Sequence, residues 1–233
     1  MSRSQQCRPF PLRALIGISI LVVGGITLAS RNRSVDFSLY FGVLPPLVAA
    51  TSACIIGLVA LLVVQKHFGF CVVLSRPNWW GWIIAVAAAV PFMVSVTFAD
   101  LFLRFPADIN VPLPIAAVFY PTIGFVAQMI LHVMPFAVVL SVLTRLFPAS
   151  SIGHRVWLSI LFAALPEAVL QIGWSGASAG GRSMLDVFVA AHLFVFGLVE
   201  LVLFRRFDYV SMYVFRLTYY GYWHILWGSI RMT

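Results

Sequence analysis

Charged side chains are scarce in this chain. They make up 9% of its 233 residues, whereas 62% of the residues are hydrophobic. Soluble domains carry roughly 25% charged residues. A membrane-spanning helix needs about 20 apolar residues, so seven such helices use about 140 positions, or about 60% of the chain. The composition therefore predicts a protein embedded in a lipid bilayer, with no room left for a soluble catalytic domain.

Several sequence signals of soluble function are absent as well. No glycine-rich phosphate loop occurs, which argues against P-loop and Rossmann enzymes. Three isolated cysteines, Cys7, Cys54 and Cys71, have no CxxC spacing, so we expect small apolar filler rather than a disulfide framework or a zinc knuckle. The formal net charge is +8, but Lys and Arg are scattered singly between apolar runs. This distribution indicates loops facing anionic lipid and no nucleic-acid partner.

Seven apolar runs, separated by short segments that hold nearly all the charges, predict an all-α polytopic membrane bundle of about seven transmembrane helices. The runs are 12–29, 44–64, 79–99, 111–146, 156–173, 184–204 and 210–228. The fourth run contains Pro112, Pro114, Pro121 and Pro135. Because these prolines cannot all lie inside an unbroken helix, we expect an irregular entry into this run. The many aromatic side chains of the last run indicate a lipid-facing and interfacial surface.

The Lys and Arg residues that flank the runs predict the orientation. Nine lie on one side and five on the other: Arg3, Arg8, Arg13, Lys66, Arg76, Arg145, Arg155, Arg205 and Arg206 against Arg31, Arg33, Arg104, Arg182 and Arg231. Cytoplasmic loops are enriched in these residues. We therefore expect a cytoplasmic N-terminus in a bacterial inner membrane.

Ionisable residues inside predicted spans are functional candidates, because charge is unfavourable in hydrocarbon. Runs six and seven share a tight turn near Asp208, so residues equally far from that turn lie at equal depth. Glu200 is then level with Arg216, which predicts a structural ion pair. His192 is level with His224, about 12 Å further along the helices.

The two histidines define a second polar layer in this interpretation. Glu167 is expected at their depth, and Gln128 and His132 join them if the fourth helix begins near Pro121. Two or three histidines with one carboxylate form the ligand set of a catalytic zinc or the surroundings of a Glu-activated water. We therefore assign Glu167, His192, His224, Gln128 and His132 as catalytic candidates. The three histidines are candidate ligands of a divalent metal such as zinc, although neutral histidines bonded to neighbouring hydroxyls or carbonyls remain an alternative.

Three segments carry a resemblance to a known family. Residues 188–192 read FVAAH and match an FxxxH pattern, and residues 224–228 read HILWG and match the histidine of an HxxxN pattern, with Gly228 in place of Asn. Residues 127–132 read AQMILH where an EExxxR pattern would stand. This order resembles the CPBP intramembrane proteases, which include CAAX prenyl endopeptidases and bacteriocin-processing proteins. The resemblance divides the chain into an N-terminal three-helix region, residues 1–110, and a CPBP-like four-helix core, residues 111–233.

The resemblance implies that a water activated by Glu and His attacks a peptide bond of a membrane peptide or a prenylated protein. Gln128 stands where a carboxylate is expected, and an amide cannot act as a general base. Either Glu167 supplies the base, or the fold has lost hydrolysis, or the resemblance is accidental. A non-enzymatic transporter or binding scaffold is one alternative. A rhomboid-like serine protease is another, because residues 173–176 read GWSG around Ser175.

Overall fold

The structure, a computed structural model, describes residues 7, 11–31, 35, 37–74, 78–106, 110–172 and 184–231. These residues form seven long helices and the short helix Ser38–Phe41, and they contain no strand. The helices are α1 (Leu12–Ser30), α2 (Pro46–Phe68), α3 (Trp79–Leu103), α4 (Ala116–Leu146), α5 (Ile152–Leu170), α6 (Met184–Arg206) and α7 (209–231). The first six are long and apolar enough to cross a bilayer. The predicted all-α membrane bundle is confirmed.

Helix α7 lies inside the bundle and packs against α3, α4 and α6. The interpretation of its aromatic residues as a lipid-facing surface is wrong for Phe215, Tyr219 and Trp223, which are at most 4% exposed. Most of the large exposed apolar side chains lie on the surrounding helices, for example Leu21 on α1 and Phe102 on α3, and α7 exposes Leu226 and Ile230 in its last turns. The outer helices therefore shield α7 from lipid, so that α7 can carry polar groups.

Helix α4 follows the expectation from its prolines. It begins at Ala116, after Pro112 and Pro114, and continues through Pro121. At Met129–Val133 it widens into a π-helical segment directly before Pro135. A proline has no N–H and its ring crowds the preceding turn, and a π-bulge relieves both constraints. His132 lies in this widened turn.

Two of the three cysteines are bonded to each other, contrary to expectation. A disulfide joins Cys7 to Cys71, 64 residues apart. It ties the chain before α1 to the loop between α2 and α3, where the Tyr209 N–H also donates to the carbonyl of Cys71 at 3.2 Å. Cys54 is buried as a free thiol inside α2. The expectation of apolar filler therefore fails for the two bonded cysteines.

Local caps set the ends of α2 and α7. Gly69 follows α2 with φ +70°, a left-handed conformation that glycine adopts without a steric penalty. The N–H groups of Gly69 and Phe70 then close back onto the carbonyls of Gln65 and Val64. Asp208 caps α7 by accepting from the Ser211 N–H at 2.8 Å. Both turns lie at the same end of the bundle as the disulfide.

Asp100 fixes the opposite end of α7. Its carboxylate accepts from Arg231 Nε at 2.8 Å and from Trp227 Nε1 at 2.8 Å. It also accepts from the Phe105 N–H at 3.0 Å, which holds the chain leaving α3. Helix α1 contacts α4, and α3 contacts α7, so helices from before and after residue 110 pack together. The division into two membrane regions stays a prediction.

Reporter fusions after Arg104 and Arg205 test the orientation. The excess of basic residues predicts a cytoplasmic reporter at Arg205 and an external reporter at Arg104. The disulfide lies at the Arg205 end, and disulfides persist mainly in oxidising compartments. An external reporter at Arg205 would therefore contradict the charge-based orientation and show that the disulfide marks the external face.

Candidate functional site

Four helices each bring polar side chains to one buried cluster. Its members are Gln128 and His132 from α4, Glu167 from α5, Glu200 from α6 and Arg216 from α7, and each is at most 1% exposed. We refer to these five residues as the polar cluster. All five were singled out from the sequence, but they were expected in two separate layers.

Arg216 lies at the centre of the polar cluster. It donates to Glu200 from Nε at 2.8 Å and from Nη2 at 2.9 Å. It donates to Glu167 from Nη1 at 3.0 Å and from Nη2 at 2.7 Å. The remaining Nη1 donor reaches the Tyr220 hydroxyl at 3.0 Å. Since a guanidinium has five N–H donors, every one has an acceptor, and both carboxylates are held in bidentate geometry.

His132 lies beside both carboxylates. Its Nε2 is 3.5 Å from Glu167 Oε2, and its Nδ1 is 3.6 Å from Glu200 Oε2. Gln128 donates from Nε2 to Glu200 Oε1 at 3.0 Å. His132 Nε2 and Gln128 Oε1 are buried without a hydrogen-bond partner among the described residues. The polar cluster therefore retains unused hydrogen-bonding capacity in its interior.

Gly197 allows α6 to approach His132. A Cβ atom at this position would lie 2.6 Å from His132 Nε2 and 3.3 Å from the backbone of Ala164. Gly197 precedes Glu200 by three residues, so both lie on the same face of α6. A larger side chain here would displace the imidazole from the polar cluster.

Glu167 belongs with Glu200 and Arg216 rather than with His192 and His224, which corrects the predicted layers. Its expected depth assumed that α5 reaches the membrane boundary. Glu167 lies in the last turn of α5, which points toward the end of the bundle where α6 begins. Glu200 lies past the middle of α6 when that helix is followed from its first residue, Met184. Helix α5 therefore ends deep in the bundle, where Glu167 reaches Arg216.

His192 and His224 each have separate partners. His192 Nδ1 is bonded to the Ser95 hydroxyl at 3.2 Å and its Nε2 to the Tyr219 hydroxyl at 3.0 Å. Both ring nitrogens of His192 therefore have a partner, and these two contacts join α6 to α3 and to α7. The arrangement matches the alternative of a neutral histidine bonded to neighbouring hydroxyls.

His224 lies nearer the Asp100 end of α7. Its Nδ1 is bonded to Asn110 Oδ1 at 2.9 Å, and its ring stacks on Tyr120 at 4.2 Å between centroids. A Cβ atom at Gly228 would lie 2.9 Å from Asn110 Cγ. The Asn110 amide therefore occupies the space beside position 228.

The predicted metal set of His132, His192 and His224 does not form one group. Among the described residues, potential ligand atoms converge within 4.8 Å at His132, Glu167 and Glu200. Arg216 already binds both of these carboxylates, so its positive charge occupies the place that a divalent cation requires and repels such an ion. The residues present therefore do not fit a zinc site.

Sequence reasoning missed Tyr219, Tyr220 and Asn110. Tyr220 follows Arg216 by four residues, and this spacing places them on one helix face, so the signal was available. Nothing in the sequence linked Asn110 to His224, because the contact joins a loop to a helix over 114 positions. Ser175 and its GWSG segment lie outside the described residues.

Comparisons of the chain with protein-family models, with curated proteins and with solved structures give no match.

Removing Arg216 should destabilise the protein most. Arg216→Met leaves two buried carboxylates without a cation, and we expect a loss of about 3–5 kcal/mol in unfolding free energy. Glu200→Gln should cost less, since Glu167 still neutralises Arg216. The double variant should lose less than the sum of the two single variants. Unfolding of the detergent-solubilised proteins measures these losses.

Arg145→Met is the matched control, because Arg145 is exposed near the end of α4 and surface charges contribute little. Additive losses in the double variant would contradict direct coupling of Glu200 and Arg216.

Proposed function

We propose that this integral membrane protein takes up and releases a proton at the polar cluster, as a proton-coupled transporter or a proton-sensing binding scaffold does. The observation that carries the proposal is the composition of the cluster. Two carboxylates, Glu167 and Glu200, share one guanidinium at full burial. With His132 neutral, the cluster holds one uncompensated negative charge.

An uncompensated charge is strongly unfavourable inside a membrane bundle. A single bound proton neutralises the cluster. His132 is the best acceptor, because its two ring nitrogens lie 3.5 and 3.6 Å from the two carboxylates. Its Nε2 has no hydrogen-bond partner among the described residues. A proton bound to His132 is attracted by both Glu167 and Glu200 and repelled by one guanidinium, since Arg216 Nη2 lies 3.4 Å from His132 Nδ1.

Polar side chains continue from the cluster toward the Asp100 end of the bundle. Arg216 contacts the Tyr220 hydroxyl, and the Tyr220 ring lies 4.9 Å from the His224 ring, between centroids. His224 in turn is bonded to Asn110. Tyr220 directly precedes a second π-helical segment, Gly221–Trp227, which contains His224. Such segments occur frequently at functional sites, which supports a role for this side of α7 in proton exchange.

The same geometry argues against hydrolysis. A general base needs a lone pair directed at water, whereas both carboxylates face Arg216 and are at most 1% exposed. Gln128 cannot accept a proton. We therefore propose a CPBP-like bundle without peptidase activity, with its N-terminus in the cytoplasm and its location in a bacterial inner membrane.

Infrared difference spectroscopy across a pH step tests proton binding. The wild type should show the bands of a buried titrating imidazole or carboxyl group. His132→Leu and Glu167→Gln should lose them, because each removes a group that shares the proton. In proteoliposomes, the same variants should lower potential-driven proton uptake by about 100-fold, the lower end of what a positioned proton-transfer group contributes.

His67→Leu is the control for His132→Leu, since His67 is exposed at the end of α2 and its loss should leave the buried signal intact. A wild-type cluster with no change of protonation between acidic and alkaline samples would overturn the proposal, because the ion pairs would then be purely structural.

An intramembrane peptidase is the second candidate, and the positions of three groups favour it. Glu200 contacts Gln128, Arg216 contacts His132, and Asn110 fills the space beside Gly228. Groups missing from the CPBP-like patterns are thus supplied from other segments. The substrate of such an enzyme would be a membrane peptide or a prenylated protein.

A membrane-peptide cleavage assay separates the two candidates. We expect the wild type to be inert, because Arg216 engages both carboxylates. The variant Gln128→Glu adds a third carboxylate. If the scaffold retains catalytic geometry, this variant should gain cleavage. Cleavage by the wild type that Glu167→Gln abolishes and Lys66→Gln leaves unchanged would establish the peptidase instead.

A further inference from the structure

A cavity lies at the end of the bundle that carries the disulfide. It has a volume of about 290 Å³ and lies between the last turn of α2, the first turns of α5 and the last turn of α6. Its walls are apolar except for one cation, and they consist of Phe68, Gly69, Phe70, Ile152, Gly153, Val156 and Arg205. Ligand pockets span roughly 300–1,000 Å³. At about 290 Å³ the cavity lies at the lower end of this range, which is the size for a small polar headgroup and not for a whole lipid.

The Arg205 side chain is oriented so that it can bind an anion. Its guanidinium lies 4.5 Å from the centroid of the Trp157 ring, a cation–π contact that restricts its orientation. Its Nη1 is buried and has no hydrogen-bond partner among the described residues. Buried donors are nearly always paired in folded proteins. The planar fork of Arg matches phosphate oxygens, so a phosphate group would complete this contact.

The surroundings of the cavity indicate the source of that phosphate. The cavity lies at the ends of three helices that are long enough to span a bilayer, and the ends of such helices reach the headgroup region. Lys66 and Arg145 lie in the last turns of α2 and α4 at the same end. The Trp157 side chain is 48% exposed, and tryptophan is enriched at membrane interfaces. Basic pockets between helices at this level bind anionic lipid headgroups.

We propose that this cavity binds the headgroup of an anionic phospholipid. Arg205 binds the phosphate, and Phe68, Phe70 and Val156 contact the glycerol and the first acyl carbons. The site is separate from the polar cluster and does not depend on the function proposed for it.

Titration of the full-length protein with lipid tests the proposal. The protein in nanodiscs of phosphatidylcholine is compared with the protein in nanodiscs containing increasing phosphatidylglycerol, and bound lipid is counted by native mass spectrometry after gentle release. The wild type should retain one phosphatidylglycerol and gain thermal stability in its presence. Arg205→Gln should lose both effects, whereas Arg145→Gln, which removes the same charge outside the cavity, should keep them.

A second variant addresses the cavity without removing charge. Gly153 is part of the cavity wall, and a Cβ atom there would meet only Ser151 Oγ, at 3.9 Å, so Gly153→Leu adds an apolar side chain at the wall without a clash at its Cβ. It should abolish lipid retention while the stability in phosphatidylcholine stays at the wild-type value. Equal retention of phosphatidylglycerol by the wild type and both cavity variants would overturn the proposal. Stabilisation by inorganic phosphate but not by phosphatidylglycerol would also overturn it.

Discussion

The double ion pair of Arg216 is the interaction on which the centre of the bundle depends. One guanidinium joins α5 to α6 through Glu167 and Glu200, and its five donors are fully used. Its desolvation is offset because both carboxylates and the Tyr220 hydroxyl replace water. The Phe196 and Tyr220 rings lie 5.3 and 5.4 Å from the guanidinium carbon and enclose it. Removing the guanidinium leaves two carboxylates in a medium that cannot solvate them.

The backbone around Arg216 is shaped to hold the polar cluster together. Gly197 allows α6 to approach His132 closely, and the π-helical turn before Pro135 holds His132 between the two carboxylates. Helix α5 ends early enough for Glu167, in its last turn, to reach the same guanidinium. The π-helical turn and the early end of α5 depart from a regular straight helix, whereas Gly197 lies in regular helix and provides space. Both departures place a member of the polar cluster, and π-helical turns occur frequently at functional sites.

The other two buried histidines show how the protein avoids further charge. His192 is bonded to two hydroxyls, and His224 is bonded to an amide and stacked on Tyr120. Neutral imidazoles are satisfied by such partners, so neither needs a counter-ion. His132 differs because its nearest polar neighbours are two carboxylates and a guanidinium. The proposed protonation is therefore specific to one of the three histidines inside the bundle.

Composition and periodicity by themselves predicted that the protein lies in a lipid bilayer, that it is helical and in which order the helices follow. They also predicted the pairing of Glu200 with Arg216. These follow from local properties, namely the length of apolar runs and the tight turn that sets α6 and α7 in register. Only the tertiary structure decided that Glu167 joins this pair, that Cys7 meets Cys71 and that Asn110 reaches His224. Each of these depends on where a helix ends or a loop returns in space, and such long-range packing leaves no periodic signal in the sequence.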